Sequence, residues 1–234
     1  MDICFNRYRI LLGVAVCYLT LGSCHDKTST TAPPANQDPF PVIFFKDNFG
    51  RQELGADWSA VRMDSMDVVK CEDNSLIVDD RQPWGSIPIA WLIKTGYNTE
   101  RNRVSFDFRN SYDSLGSFYM SFFVSGSRLF QDASLHCALQ GPKLTIVQGV
   151  SEGEINLQKV PNGTGNTWYT LTITNQDKKI SIAVSVKNGM ELGSFTLPYS
   201  GKIEGSIGVT GYFSTLSSGT RSRISIDNFI IAQP

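Results

Sequence analysis

The chain has only two histidines, and neither a Cys-x-x-Cys nor a His-Glu-x-x-His occurs, so the usual zinc centres are excluded. It has no surplus of basic charge. Lys and Arg number 21 against 22 Asp and Glu, without a basic run, which argues against a nucleic-acid partner. No segment sustains a 3.6-residue apolar period between capping residues, so helices are not expected to build the core. The longest N-terminal apolar run, residues 10–21, is shorter than the roughly 20 residues of a membrane-spanning helix. An internal repeat is also missing, which argues against tandem immunoglobulin-like domains.

What is present at the N-terminus reads as an export signal: Arg7 and Arg9 precede the apolar run, and small residues follow it. The run ends in Leu21-Gly22-Ser23-Cys24, which resembles the lipobox of bacterial lipoproteins. That resemblance implies cleavage after residue 23 and lipidation of Cys24, with membrane attachment through the lipid anchor only. His25 follows the cysteine where some sorting signals place Asp, which favours the outer membrane. Residues 24–41 (CHDKTSTTAPPANQDPFP) have little to bury and read as an extended tether. Residues 42–234 are then one domain, long enough for a sizeable single core. Loss of residues 1–23 removes Asp2, Arg7 and Arg9, leaving 19 basic and 21 acidic residues.

Of the five cysteines, Cys4 and Cys17 leave with the signal and Cys24 is claimed by the lipid. Cys71 and Cys137 remain. An exported compartment permits a bridge between them, but Cys137 also alternates with Leu135 and Leu139 like a buried apolar residue.

The domain is written in strands. Period-2 alternation runs through 103–109 (RVSFDFR), 134–140 (SLHCALQ), 169–174 (YTLTIT) and 223–231 (RISIDNFII). Turn signals separate the runs at Glu72-Asp73-Asn74, Gln140-Gly141-Pro142-Lys143, Pro161-Asn162-Gly163, Asn175-Gln176-Asp177-Lys178 and Lys187-Asn188-Gly189. More than ten short strands in one domain imply an all-β fold: a two-sheet antiparallel jelly-roll sandwich.

The order of several short motifs resembles the concanavalin A-like lectin/glucanase superfamily, including its laminin G-like branch. These are Phe45-Lys46-Asp47-Asn48-Phe49-Gly50, Trp58 and the 71–78 hairpin, then Trp168-Tyr169-Thr170-Leu171-Thr172-Ile173 with Asn188-Gly189, and finally 205–209 and Ile226-Asp227-Asn228-Phe229. The resemblance implies a carbohydrate-related sandwich, a fold that hosts binding modules and enzymes alike. The paired-carboxylate strand of its family 16 glucanases (Glu-x-Asp-x-(x)-Glu) is missing. Glu152-Gly153-Glu154 reads as a glycine-flanked loop, so the reading leans against an enzyme.

Strand parity proposes a ligand face. If Val104, Phe106 and Phe108 turn inward, then Asp107 and Arg109 turn outward. On 117–124 the set Phe118, Met120, Phe122 and Val124 takes one side and Tyr119 the other. His136, Gln140 and Tyr212 join the outward set by the same reasoning. These are residue types that stack on sugar rings or hydrogen-bond hydroxyls, and Arg109 and Tyr119 are expected on neighbouring strands of one face. Trp84, in a Gln-Pro-Trp-Gly turn, is a candidate loop platform; Trp58, Trp91 and Trp168 are expected in the core. The resemblance also suggests that Asp47 and Asp227 hold a structural Ca²⁺ where first and last strands meet, although no cofactor is required. The expected function is non-catalytic recognition of a glycan or polysaccharide at the cell envelope. A glycan-processing hydrolase resembling the 3-keto-disaccharide hydrolases and a structural or adhesive envelope protein are the alternatives.

Overall fold

The computed structural model describes residues 38–61, 68–80, 89–93, 96–98, 100–110, 117–124, 133–140, 143–148, 151–157, 167–198, 206–212 and 222–234. Fifteen strands follow one another: β1 (Val42–Asp47), β2 (Trp58–Val61), β3 (Val68–Glu72), β4 (Ser75–Asp80), β5 (Ile89–Leu92), β6 (Asn102–Asn110), β7 (Ser117–Val124), β8 (Ala133–Gln140), β9 (Lys143–Gln148), β10 (Ser151–Asn156), β11 (Tyr169–Gln176), β12 (Lys179–Val186), β13 (Glu191–Pro198), β14 (Ser206–Tyr212) and β15 (Ser222–Gln233). They form two antiparallel sheets. One has eight strands in the order β13-β12-β11-β6-β15-β4-β3, with β1 pairing the C-terminal half of β15; the other has seven, in the order β10-β9-β8-β7-β14-β5-β2. Among the described residues there is no α-helix. This is the jelly-roll sandwich expected from the alternation.

The core lies between the sheets and is the sum of the inward parities. Along β11 burial alternates residue by residue, with Tyr169, Leu171 and Ile173 inside. On β6 Val104, Phe106 and Phe108 are fully buried. An aromatic column fills the end where β1, β2 and β15 come together. Phe229 stacks on Phe106 (5.7 Å between ring centroids) and meets the edge of Trp58 (5.4 Å), while Phe49 tilts onto Trp58 (5.6 Å). Offset and edge-on pairs of this kind add about 0.5–1.5 kcal/mol each beyond the area they bury. Since Trp58 belongs to β2 of the seven-stranded sheet and Phe229 to β15 of the other, this column joins the two layers. At the opposite edge β10 packs on β13, and Gly153 lies so close to the Phe195 ring that a side chain there would overlap it.

Tight turns carry the hairpins. Asp73 and Asn74 (φ 52° and 54°), and Asp177 and Lys178 (φ 54° and 59°), adopt the paired left-handed conformation that suits two-residue hairpin loops. A bulge interrupts β15 between Asp227 and Ile230, with Asn228 at φ 50°. It explains why inward apolar residues stand at 224, 226, 229 and 231 rather than at every second position.

Four expectations change. The compact unit runs from Asp38 to Pro234, so it starts before residue 42: Phe40 is 3 % exposed, and Asp38 holds the Arg103 guanidinium through both oxygens. Cys71 is a buried free thiol, so the bridge to Cys137 is not made. The reason is topological. β3 lies at one edge of its sheet, whereas β8 sits in the other sheet on the far side of β14, the strand facing β4 and β15. Several strand spacings of about 4.8 Å separate them, and a disulfide tolerates only about 7 Å between Cα atoms. Glu152-Gly153-Glu154 is not a loop but the middle of β10, paired with β9. Trp91 and Trp168 are half-buried rather than in the core; only Trp58, 3 % exposed, is where the pattern put it.

Candidate functional site

The expected ligand residues separate onto two faces. Asp107 and Arg109 lie on β6 of the eight-stranded sheet, whereas Tyr119 (β7), His136 and Gln140 (β8) and Tyr212 (β14) lie on the seven-stranded one. Arg109 and Tyr119 are therefore not on neighbouring strands, contrary to expectation. The chain crosses from one sheet to the other between β6 and β7, and alternation within each strand carries no signal of that crossing. Trp84 lies outside the described residues.

On the eight-stranded face the outward residues of β6, β11 and β15 bind one another. Asp107 is 6 % exposed, and both its oxygens are used. Thr170 Oγ1 donates to Oδ1 (2.6 Å), while Asn228 Nδ2 (2.8 Å) and the Lys187 ammonium (2.8 Å) meet Oδ2. Lys187 also reaches Asp227 (3.2 Å), whose other oxygen accepts the Asn228 backbone N–H (2.6 Å). Burial works against the charge on Lys187, but hydrogen bonds to Asp107 and Asp227 overcome it and raise the ammonium above its ordinary pKa. Trp168, one position before β11, lies under two cations: Arg109 Cζ is 4.8 Å and Lys187 Nζ 5.1 Å from the ring centroid. The face is built from charges and its acids are spent on internal contacts.

Asp47 and Asp227 do not fit a shared calcium. Asp47 lies on the inward side below Trp58. Arg51 donates to both its oxygens (2.6 and 2.8 Å), and the Phe49 N–H (2.8 Å) and Trp58 indole N–H (2.9 Å) also donate to it. Burial pushes the Asp47 carboxyl up, but these donors outweigh burial and hold it below the usual carboxylate range. Asp227 lies past the Asn228 bulge in the outward network. Each carboxylate has its own cation, and the two face different sides of the sheet.

The seven-stranded face is set out by its register. The buried Leu144 pairs with Leu139, which pairs with Phe118; the buried Ala90 and Leu92 pair with Val209 and Ile207. Those positions form the inward parity. The other parity places Tyr119 between Ala138 and Thr210, Ser117 between Gln140 and Tyr212, and Ser121 between His136 and Gly208. By register all four expected residues of this sheet share one parity, opposite to that of the buried Leu144, Ala90 and Leu92. The nine positions contain no Asp, Glu, Lys or Arg; they offer aromatic, amide, imidazole and hydroxyl groups among small residues. The half-buried Trp91, flanked in register by Gly208 and Ser59, extends the row that holds His136. Its parity was legible from the inward Ala90 and Leu92 on either side. On the far edge, Glu152 pairs with Val147 and Glu154 with Thr145, in the same two rows.

No protein-family model matches the chain, and no curated protein matches it. Solved structures share its fold. The winged bean acidic lectin complexed with methyl-α-D-galactose superposes with a TM-score of 0.58 at 11 % identity, covering 81 % of this chain and 97 % of the lectin. A Bacillus subtilis protein with a galectin-like fold gives 0.56 at 12 % identity, covering 83 % and 97 %. The GH43 protein BlXynB of Bacillus licheniformis gives 0.52 at 12 % identity, covering 81 % of this chain and 39 % of that one. At such identities the likeness is one of fold: the chain shares the two-sheet jelly-roll sandwich of these proteins.

Proposed function

We propose that the protein is a lipid-anchored receptor of the bacterial cell envelope, displayed at the outer membrane through Cys24, that recognises a glycan or polysaccharide without cleaving it. The observation that carries the reading is the absence of charged residues from the nine register positions that β7, β8 and β14 place on one parity of the seven-stranded sheet. Sugars are bound by stacking their C–H faces on aromatic rings and by pairing hydroxyls with planar polar groups. Tyr119, Tyr212, His136 and Gln140 supply both kinds of group on three adjacent strands. The lectins that share the fold support the reading. A glycan array on residues 38–234 tests it, with Tyr119→Ala expected to weaken binding by about 1–2 kcal/mol, the scale of one aromatic contact. Unaltered binding by this variant removes the face assignment. The anchor is tested separately: Cys24→Ser should abolish labelling by a palmitate analogue and release the protein without detergent.

Glycan hydrolysis is the second reading, and one observation favours it. β10 puts Glu152 and Glu154 at alternate positions, in the rows that hold His136 and Tyr119. Paired carboxylates across a scissile bond are what hydrolysis requires. Sugar release from a bound polysaccharide, lost in both Glu152→Gln and Glu154→Gln, would move the protein to this class.

A further inference from the structure

Among the described residues five large apolar side chains stand well exposed: Val42, Ile43, Val61, Ile93 and Met190. Three of them gather around the point where the chain enters the fold. Val42 and Ile43 open β1 opposite Gln233 and Ala232, and a register shift before Phe45 leaves both outside. Ile93 begins the connection from β5 to β6, which returns to the same place. There the Tyr97 ring meets Phe44 edge-on (6.1 Å), and the Asn98 N–H donates to Gln233 Oε1 (3.0 Å). The entry point itself is fixed. Asp38 grips Arg103 through both oxygens (2.9 and 2.7 Å), and Phe40 is buried with the Arg103 guanidinium over its ring (5.5 Å). Met190 lies at the other end of the same sheet. It follows β12, whose Val186 is level with Tyr169 and Phe108, whereas Ala232 is level with Arg103. Those levels are five residues of β6 apart, about 17 Å. A single exposed apolar residue is ordinary, but a group of them around one fixed point marks a contact surface.

The length of chain before the entry point names the occupant. Only residues 25–37 separate Asp38 from Cys24, a stretch that reaches at most about 50 Å even when fully extended. Under the lipid-anchor reading, on which this inference rests, the entry point is the part of the domain held closest to the bilayer. We infer that Val42, Ile43 and Ile93 dock on the lipid surface and seat the sandwich on its Asp38 end. The tether makes docking intramolecular, so an apolar contact too weak to hold a free protein on a membrane is populated. Zwitterionic headgroups suffice, because the charges at this end are of both signs. Arg101, Lys178 and Lys179 stand exposed with Glu100 and Asp177, and Asp38 is spent on Arg103. Seated in this way, the eight-stranded sheet stands on end. The sheet packed against it then keeps its β7, β8 and β14 patch turned away from the bilayer and open to a glycan.

The test compares the lipidated chain, reconstituted in phosphatidylcholine vesicles, with soluble chain 24–234 carrying Cys24→Ser. Hydroxyl-radical labelling read by mass spectrometry reports how far each side chain meets water. Val42, Ile43 and Ile93 should be labelled several-fold less on vesicles than in the soluble chain, at low and at high salt, while Met190 is labelled equally in both. Tryptophan reporters give a second readout. In vesicles containing brominated phosphatidylcholine, the emission of Ile43→Trp should be quenched beyond that of the parent, and that of Met190→Trp should not. Ile43 and Met190 are both 58 % exposed, so neither variant disturbs the core and the pair differs only in its place on the fold. Equal labelling of residues 42, 43 and 93 in the two forms, or equal quenching of the two reporters, overturns docking and leaves the anchor standing. A chain that carries no lipid at all overturns the anchor and the docking together.

Discussion

The outward faces of the two sheets are written with the same alternation but with different chemistry. On the eight-stranded sheet Asp107, Asp227, Lys187 and Asn228 contact one another at 2.6–3.2 Å, and Trp168 is covered by Arg109 and Lys187. On the seven-stranded sheet the nine register-aligned positions from Ser117 to Tyr212 carry no charged residue. A face whose charges compensate each other gains little from a neutral sugar, because each hydroxyl would have to displace an existing bond. An uncharged face of aromatic and planar polar groups loses little on binding. Residue type alone did not separate the two: Asp107 and Arg109 look as suitable for a sugar as His136 and Gln140. The partners each has already taken separate them.

The largest effect on this contrast comes from the residue that joins the sheets. Trp58→Ala should cost about 3–5 kcal/mol as a large-to-small core change, read by chemical denaturation, because it empties the column between Phe49 and Phe229 and leaves Asp47 with one donor fewer. Trp168→Ala should cost only about 1–2 kcal/mol, the scale of a partly exposed ring under cations. Equal losses at the two tryptophans would erase the distinction between core and face drawn here.

Acid should act through Asp47. Its carboxyl is held below the usual range in the fold, so its contribution to stability is complete above about pH 4, where an unfolded aspartate is ionised, and fades as pH falls through the lower native value. Asp47→Asn should lower stability near neutrality, and its unfolding free energy should change less between pH 5 and 2 than that of the parent. Lys187 behaves in the opposite sense: its raised pKa gives stability that is present below about pH 10 and lost as pH rises through the native value. Smallest of all is the expected effect of reductant. Cys71 is a buried free thiol, so dithiothreitol should leave the melting temperature of residues 38–234 unchanged; a drop of several degrees would restore the bridge to Cys137.

Parity was legible throughout the sequence, and sheet membership was not. The inward set of β6 and the set Tyr169, Leu171 and Ile173 on β11 follow directly from period 2. The same parity assigns Trp168 outward, one step before the inward Tyr169, so its position could have been found; aromatic size suggested burial where periodicity excluded it. The Asn228 bulge also leaves a trace, the three-residue step from Ile226 to Phe229. By contrast, nothing local to β6 or β7 shows that the chain changes layer between them, since which strands pair is settled by contacts far apart in sequence. That missing link is what placed Arg109 and Tyr119 together. Gly153 between the glutamates, with Gly149 shortly before them, made 152–154 look like a loop, although Gly153 is where β10 needs to pass the Phe195 ring.

The central claim is that a neutral glycan binds the uncharged patch of β7, β8 and β14 on the seven-stranded sheet. Backbone amide shift mapping tests it most directly, using a neutral oligosaccharide selected on the array and the isotope-labelled domain 38–234. Perturbations should cluster on β7, β8 and β14, around Tyr119, His136, Gln140 and Tyr212, and leave the amides of Asp107, Thr170 and Asp227 unmoved. Perturbations concentrated on β6, β11 and β15 would contradict the account.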